Sequence, residues 1–101
     1  MATVFTAYIG FKGPNAHPDV NRVLLFDLLA DSGLNGYTAS RADGYYQGEP
    51  EPSIIITVIT RTEQEEISDG AALLEVCHRY KELAEQEEVW VTRRVEDLQV
   101  L

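Results

Sequence analysis

The sequence predicts an α+β protein, a ferredoxin-like βαββαβ unit whose four-stranded antiparallel sheet carries both helices on one face. Three observations carry that expectation. Residues 36–61 read as two strands in succession, the first alternating in residue type over 37–47, the second a β-branched run over 53–60. Two other segments place apolar residues at helical spacing. Short apolar stretches at 3–9 and 89–95 supply the outer strands, so the order is strand, helix, strand, strand, helix, strand.

Residues 3–9 (TVFTAYI) are apolar on both faces and are followed by the turn formers Gly10, Gly13, Pro14 and Asn15. Pro18 suits the first turn of a helix, and Asp19 places negative charge near the positive end of its dipole. That helix runs to about Asp31, with Val20, Val23, Leu24 and Leu28 as its inward stripe, widened by Leu25, Phe26 and Leu29, and Gly33 as its stop. In the second strand Tyr37, Ala39, Arg41, Asp43 and Tyr45 share one face, and Thr38, Ser40, Ala42, Gly44 and Tyr46 the other. The hairpin tip is expected at 48–52 (GEPEP), because neither Pro50 nor Pro52 can donate a ladder hydrogen bond. The run at 53–60 should then be a central strand buried on both faces.

Ser68 or Asp69 is expected to cap the second helix, whose apolar positions are Leu73, Val76, Cys77, Tyr80, Leu83 and Ala84. On its wet side Glu75 and Arg79 form an i,i+4 pair. In the last strand Val89, Val91, Arg93 and Val95 face one way, Trp90, Thr92 and Arg94 the other. Residues 1–101 make one domain, and 97–101 (DLQVL) are expected to add a strand, cover a sheet edge or touch a neighbouring subunit. Because the strands are apolar on both sides, the face away from the helices needs a cover. A second copy is the simplest one, so a homo-oligomer is expected.

Composition narrows the class. With 45% hydrophobic and 25% charged residues the chain is too apolar for a disordered one, and no apolar run approaches the ~20 residues of a membrane span. The first residues lack the pattern of a secretory signal, and the lone Cys77 rules out an internal disulfide, so a cytoplasmic setting is expected. The net charge of −9 argues against direct nucleic-acid binding, which rests on basic residues. Residues 62–88 hold nine acidic side chains against Arg79 and Lys81, and so carry −7 of that charge. Such a run is ordinarily a solvated helix face; the sharper reading is an acidic surface that imitates nucleic acid or docks a basic partner.

Three motifs, Gly36-Tyr37-Thr38, Gly44-Tyr45-Tyr46-Gln47-Gly48-Glu49-Pro50-Glu51 and Gln86-Glu87-Glu88-Val89-Trp90-Val91, give the chain a family look. It resembles the PII-like superfamily of small trimeric ferredoxin-fold proteins, which includes the PII signalling and CutA-type proteins. It is more closely similar to short bacterial and phage members. The resemblance implies a trimer with ligand clefts between subunits, framed by the loop after the second strand. The chain departs from the PII pattern at 84–88, where an acidic, glycine-free stretch replaces a Gly-rich basic nucleotide loop. The CutA-type Cys-Val-Asn signature of the second strand is also missing.

Catalytic residues are not expected. His17 and His78 have no partner at a recognisable spacing, and Cys77 and His78 point about 100° apart on a helix, too far to share a metal. Neither a phosphate loop nor a cofactor motif is present. The candidate ligand-binding residues are Arg41, Arg61 and Arg93, whose planar forks suit phosphate or carboxylate, with Tyr45, Tyr46 and Trp90 as stacking surfaces. Arg94 joins the arginines, and ion pairs with Asp43 or Glu96 are the plainer role for the set. The candidate partner-binding residues are Glu49 and Glu51 at the hairpin and Glu75, Glu82 and Glu85 on the second helix.

These features lead to a non-enzymatic, oligomeric PII-like protein binding a small anionic ligand, such as a nucleotide, in intersubunit clefts. In a phage it would sequester a host signalling nucleotide. The alternative is an acidic inhibitor that docks a basic partner surface through its second helix. A small cofactor-free enzyme is the third class, for which the sequence offers no catalytic group.

Overall fold

The computed structural model describes residues 1–11 and 18–101; the expected turn formers Gly13, Pro14 and Asn15, and His17, lie outside the described residues. Strands β1 (Ala2–Gly10), β2 (Thr38–Tyr46), β3 (Glu49–Thr60) and β4 (Trp90–Glu96) alternate with helices α1 (Pro18–Ala30) and α2 (Glu63–Leu83) in the order βαββαβ. The strands form one antiparallel sheet in the order β2-β3-β1-β4. This is the ferredoxin-like arrangement the sequence predicts.

Strand alternation divides the residues between two faces. Phe5, Ala7 and Ile9 of β1 and Ile54, Ile56 and Val58 of β3 lie in one buried cluster with Leu25, Leu28 and Leu29 of α1 and Leu73, Val76 and Tyr80 of α2. Both helices therefore cover the same face. Each of these larger side chains contributes about 1.5–3 kcal/mol by leaving water. Tyr80 reaches through the cluster, its ring edge-on to Phe11 at 6.4 Å, and donates from its hydroxyl to the Gly10 carbonyl at 2.6 Å.

Several local expectations are corrected, among them burial of 53–60 on both faces, since Ile59 on the second face is exposed. The hairpin tip is Gln47–Gly48 rather than 48–52, and β3 begins at Glu49. Gln47 and Gly48 have φ of 52° and 79°, the paired positive values of a two-residue type I′ turn. The prolines fit the strand because of which edge they face. A residue's N–H and C=O leave an extended strand on the same side. The Pro52 carbonyl accepts from the Phe11 N–H at 3.0 Å, so the missing donor also faces the side of β1 and leaves the ladder to β2 intact.

The cap of α2 is Thr62, six residues earlier than the first expected position, Ser68. Its hydroxyl accepts from the Glu65 N–H at 3.1 Å, while the Glu65 carboxylate accepts from the Arg61 N–H at 2.8 Å. This is a variant of the reciprocal capping box. The first turns of the helix are acidic and solvated, so apolar periodicity becomes visible only later.

The stripe of α1 is also turned. Val20 and Val23 are exposed, and the inward positions are Asn21, Leu25, Leu28 and Leu29. A buried asparagine holds that face in place, since Asn21 Nδ2 donates to the Phe11 carbonyl at 3.1 Å. Hydrophobic spacing alone could not weigh a polar side chain that satisfies a backbone group.

Candidate functional site

Among the described residues no helix lies over the second face of the sheet. Register sets its rows: Val4 between Ile59 and Arg94, Thr6 between Thr57 and Thr92, Tyr8 between Ile55 and Trp90. The small central residues Ala2, Val4 and Thr6 are buried among their neighbours, whereas Tyr8, Ile59 and Trp90 remain exposed, Trp90 at 64%.

At the hairpin end this face deepens into a cleft of about 960 Å³. Tyr8, Ser53, Ile55, Trp90 and Thr92 come from the sheet, the β2–β3 hairpin forms one wall, and residues 85–88 between α2 and β4 contribute a second. Two hydrogen bonds join the parts. Tyr46 donates from its hydroxyl to Glu87 Oε2 at 3.3 Å, and Trp90 Nε1 donates to Glu88 Oε2 at 3.0 Å. The charge and hydrogen bond of Glu87, with a smaller contribution from Glu88, push the Tyr46 phenol above its ordinary pKa. Tyr46 therefore stays a neutral donor.

Glu51 lies over the closing end of β1. A Cβ on Gly10 would fall 1.6 Å from Glu51 Oε1, so the carboxylate occupies the space that only glycine leaves. Burial, and secondly the charge of Glu51, also raise the Tyr80 phenol. Among the described residues the cleft lining includes the acidic residues Asp43, Glu49, Glu51, Glu85, Glu87 and Glu88 and no Lys or Arg.

The structure thus brings together Tyr45, Tyr46, Trp90, Glu49, Glu51 and Glu85 from the sequence candidates. The arginines lie elsewhere within the chain. Arg41 is exposed on edge strand β2, paired in register with Ile54 on the helix side. Arg61 and Arg93 line a second groove of about 800 Å³ between the sheet and the start of α2, where Arg93 is bound to Glu66. That bond holds the Glu66 carboxyl below its ordinary range. Arg94 pairs with Glu96. Glu75 and Glu82 are exposed on α2, away from the cleft.

His78 is exposed on α2. Cys77 is buried, and burial pushes its thiol up to about 11, which makes it an unreactive core side chain at neutral pH. Residues 97–101 carry no strand and are exposed. Sequence reading missed Tyr8, Asp43, Glu87 and Glu88 as cleft residues. The paired carboxylates after α2 were visible as part of an acidic run and of the motif at 86–91, and Tyr8 only as a strand residue.

The sequence matches no family model and no curated protein. Its fold is similar to that of a DUF3240 family protein from Shewanella baltica OS155, with a TM-score of 0.58 and 10% identity over 99% of this chain and 96% of that one. It is also similar to a phage SAM lyase in complex with S-methyl-5'-thioadenosine, with a TM-score of 0.58 and 15% identity over 92% of this chain and 80% of that one. A third similar structure is CPII, a nitrogen regulatory PII-like protein from Thiomonas intermedia K12 bound to ADP, AMP and bicarbonate. Here the TM-score is 0.53 and the identity 16%, over 99% of this chain and 100% of that one. At these identities the likeness establishes the ferredoxin-like fold, on which the cleft is built.

Proposed function

We propose that this chain is a non-enzymatic, homo-oligomeric binding protein of the PII-like kind, trimeric as the resemblance implies, that holds a small nucleoside-type ligand at the hairpin end of its open sheet face. The observation that carries this reading is the aromatic-lined cleft formed by Tyr8, Tyr46 and Trp90 over a sheet face that no helix covers. Its volume suits a small organic molecule, and its rings suit a flat base. Two of the similar folds support the ligand class, since their structures hold S-methyl-5'-thioadenosine in one case and ADP and AMP in the other. The exposed Ile59 on the same face supports association with further copies, which would wall the cleft more fully.

Native mass spectrometry of protein purified from its producing cells tests the reading. A closed oligomer carrying extra mass of a few hundred daltons is expected, and a bare monomer overturns it. The non-enzymatic part fails separately if S-adenosylmethionine mixed with the protein is converted to S-methyl-5'-thioadenosine.

A second reading, docking of a basic protein surface on α2, is favoured by the exposed Glu75 and Glu82. It requires that binding of the partner weaken steeply with salt and disappear on charge reversal at these two positions.

A further inference from the structure

We propose that the ligand of the hairpin-end cleft is an organic cation, a nucleoside-type molecule bearing a sulfonium or ammonium centre, held against the rings of Tyr46 and Trp90. The proposal rests on the cleft being the binding site and adds the charge of what enters it.

Geometry is the first argument. Tyr46 and Trp90 each have one polar hydrogen, and both are committed to carboxylates, to Glu87 at 3.3 Å and to Glu88 at 3.0 Å. What these side chains still offer a ligand is the ring itself. An aromatic face is negative and attracts a cation, most strongly when the cation is an onium group that is weakly hydrated. Tyr8 stands beside Trp90 in the sheet register and adds a third ring to the lining.

Electrostatics is the second. Glu49 and Glu51 lie on the hairpin side, Glu87 and Glu88 on the other, and among the described residues no Lys or Arg joins the lining. A phosphate entering between these walls meets like charge on both sides, whereas a positive centre is attracted by both. The rest of the molecule fits this division, since Arg93 and Arg94 are held by Glu66 and Glu96 outside the cleft. The carboxylates are spread around the rim, and among the described residues no three His, Cys, Asp or Glu side chains are grouped to hold a metal ion. A polyatomic cation fills such a space better than a bare ion.

Fluorescence of Trp90, the single tryptophan, reads the test in the full chain. The probes are S-adenosylmethionine, its neutral thioether S-adenosylhomocysteine, AMP and tetramethylammonium chloride, at constant ionic strength. The sulfonium compound is expected to bind about tenfold or more tightly than the thioether, and AMP most weakly. In the Glu87→Gln, Glu88→Gln double variant an acceptor remains for each ring donor while both charges go. The sulfonium preference should then fall several-fold with the melting temperature unchanged.

Equal binding of the sulfonium and thioether compounds overturns the cation proposal and leaves the nucleoside cleft standing. Tightest binding of AMP also overturns it, in favour of an anionic ligand. Binding of tetramethylammonium alone supports the cation and overturns the nucleoside reading. No response to any probe overturns both.

Discussion

On the helix side of the sheet, Ile54, Ile56 and Val58 lie in one buried cluster with Leu25, Leu29 and Leu73. On the opposite side, the alternate residues of the same strand end with Ile59 at 53% exposure, and Tyr8 and Trp90 stand exposed as a pair toward the other end of that face. Composition does not separate the two faces, since both are rich in β-branched and aromatic residues. What separates them is that both helices of the described residues lie on one side. The covered face uses its apolar side chains for stability. The uncovered one keeps rings and carboxylates available, and the cleft opens there.

Paired substitutions put numbers on that difference. Ile56→Ala is expected to cost about 2–5 kcal/mol in urea unfolding, because it leaves a cavity among close-packed neighbours. Ile59→Ala should cost less than about 1 kcal/mol in the separated chain. If its cost instead approaches that of Ile56→Ala and grows with protein concentration, a second copy covers the open face.

Thr62→Ala tests the helix that divides the faces. Loss of its hydrogen bond from the Glu65 N–H should lower stability by about 1 kcal/mol, read as a shift of the urea midpoint. An equal loss from Ser68→Ala would instead place the helix start where periodicity alone puts it.

The smallest expected effect concerns the groove on the covered side. The hydrogen bond from Arg93 lowers the folded-state pKa of Glu66, so its contribution is present above the ordinary glutamate value of 4.5 and is lost as pH falls through the lower folded value. Glu66→Gln should lower the urea midpoint slightly at pH 7, where the bond to Arg93 is present, and the difference should vanish as pH falls below the lowered folded value. Tyr46 behaves in the opposite sense. Its phenol is raised, so the bond to Glu87 should persist through neutral pH, and in an absorbance titration Tyr46→Phe should remove amplitude from above the ordinary tyrosine value of 10.

Element order, the faces of β2 and β4, and the α2 core positions Leu73, Val76, Cys77 and Tyr80 were legible from residue spacing, whereas Leu83 of the same expected stripe is exposed. Period-2 and helical patterns record which residues avoid water, and burial enforces them. The tip at Gln47–Gly48, the cap at Thr62 and the inward Asn21 were not legible, because each depends on a hydrogen bond whose partner the pattern does not reveal. Part of the candidate site was in view as well, Tyr45, Tyr46 and Trp90 as ligand-binding residues and Glu49, Glu51 and Glu85 as partner-binding ones.

The sequence by itself determined an α+β chain whose strands are apolar on both sides, with a surplus of acidic side chains. Only the tertiary structure decided where that surplus meets. Antiparallel pairing sets Tyr8 beside Trp90, and the chain's return from α2 brings Glu87 and Glu88 against Tyr46 and Trp90. The same folding leaves Arg61 and Arg93 in a groove of their own. Forty-one residues separate Tyr46 from Glu87, and no local propensity acts over that distance. Packing of the sheet and helices brings them together.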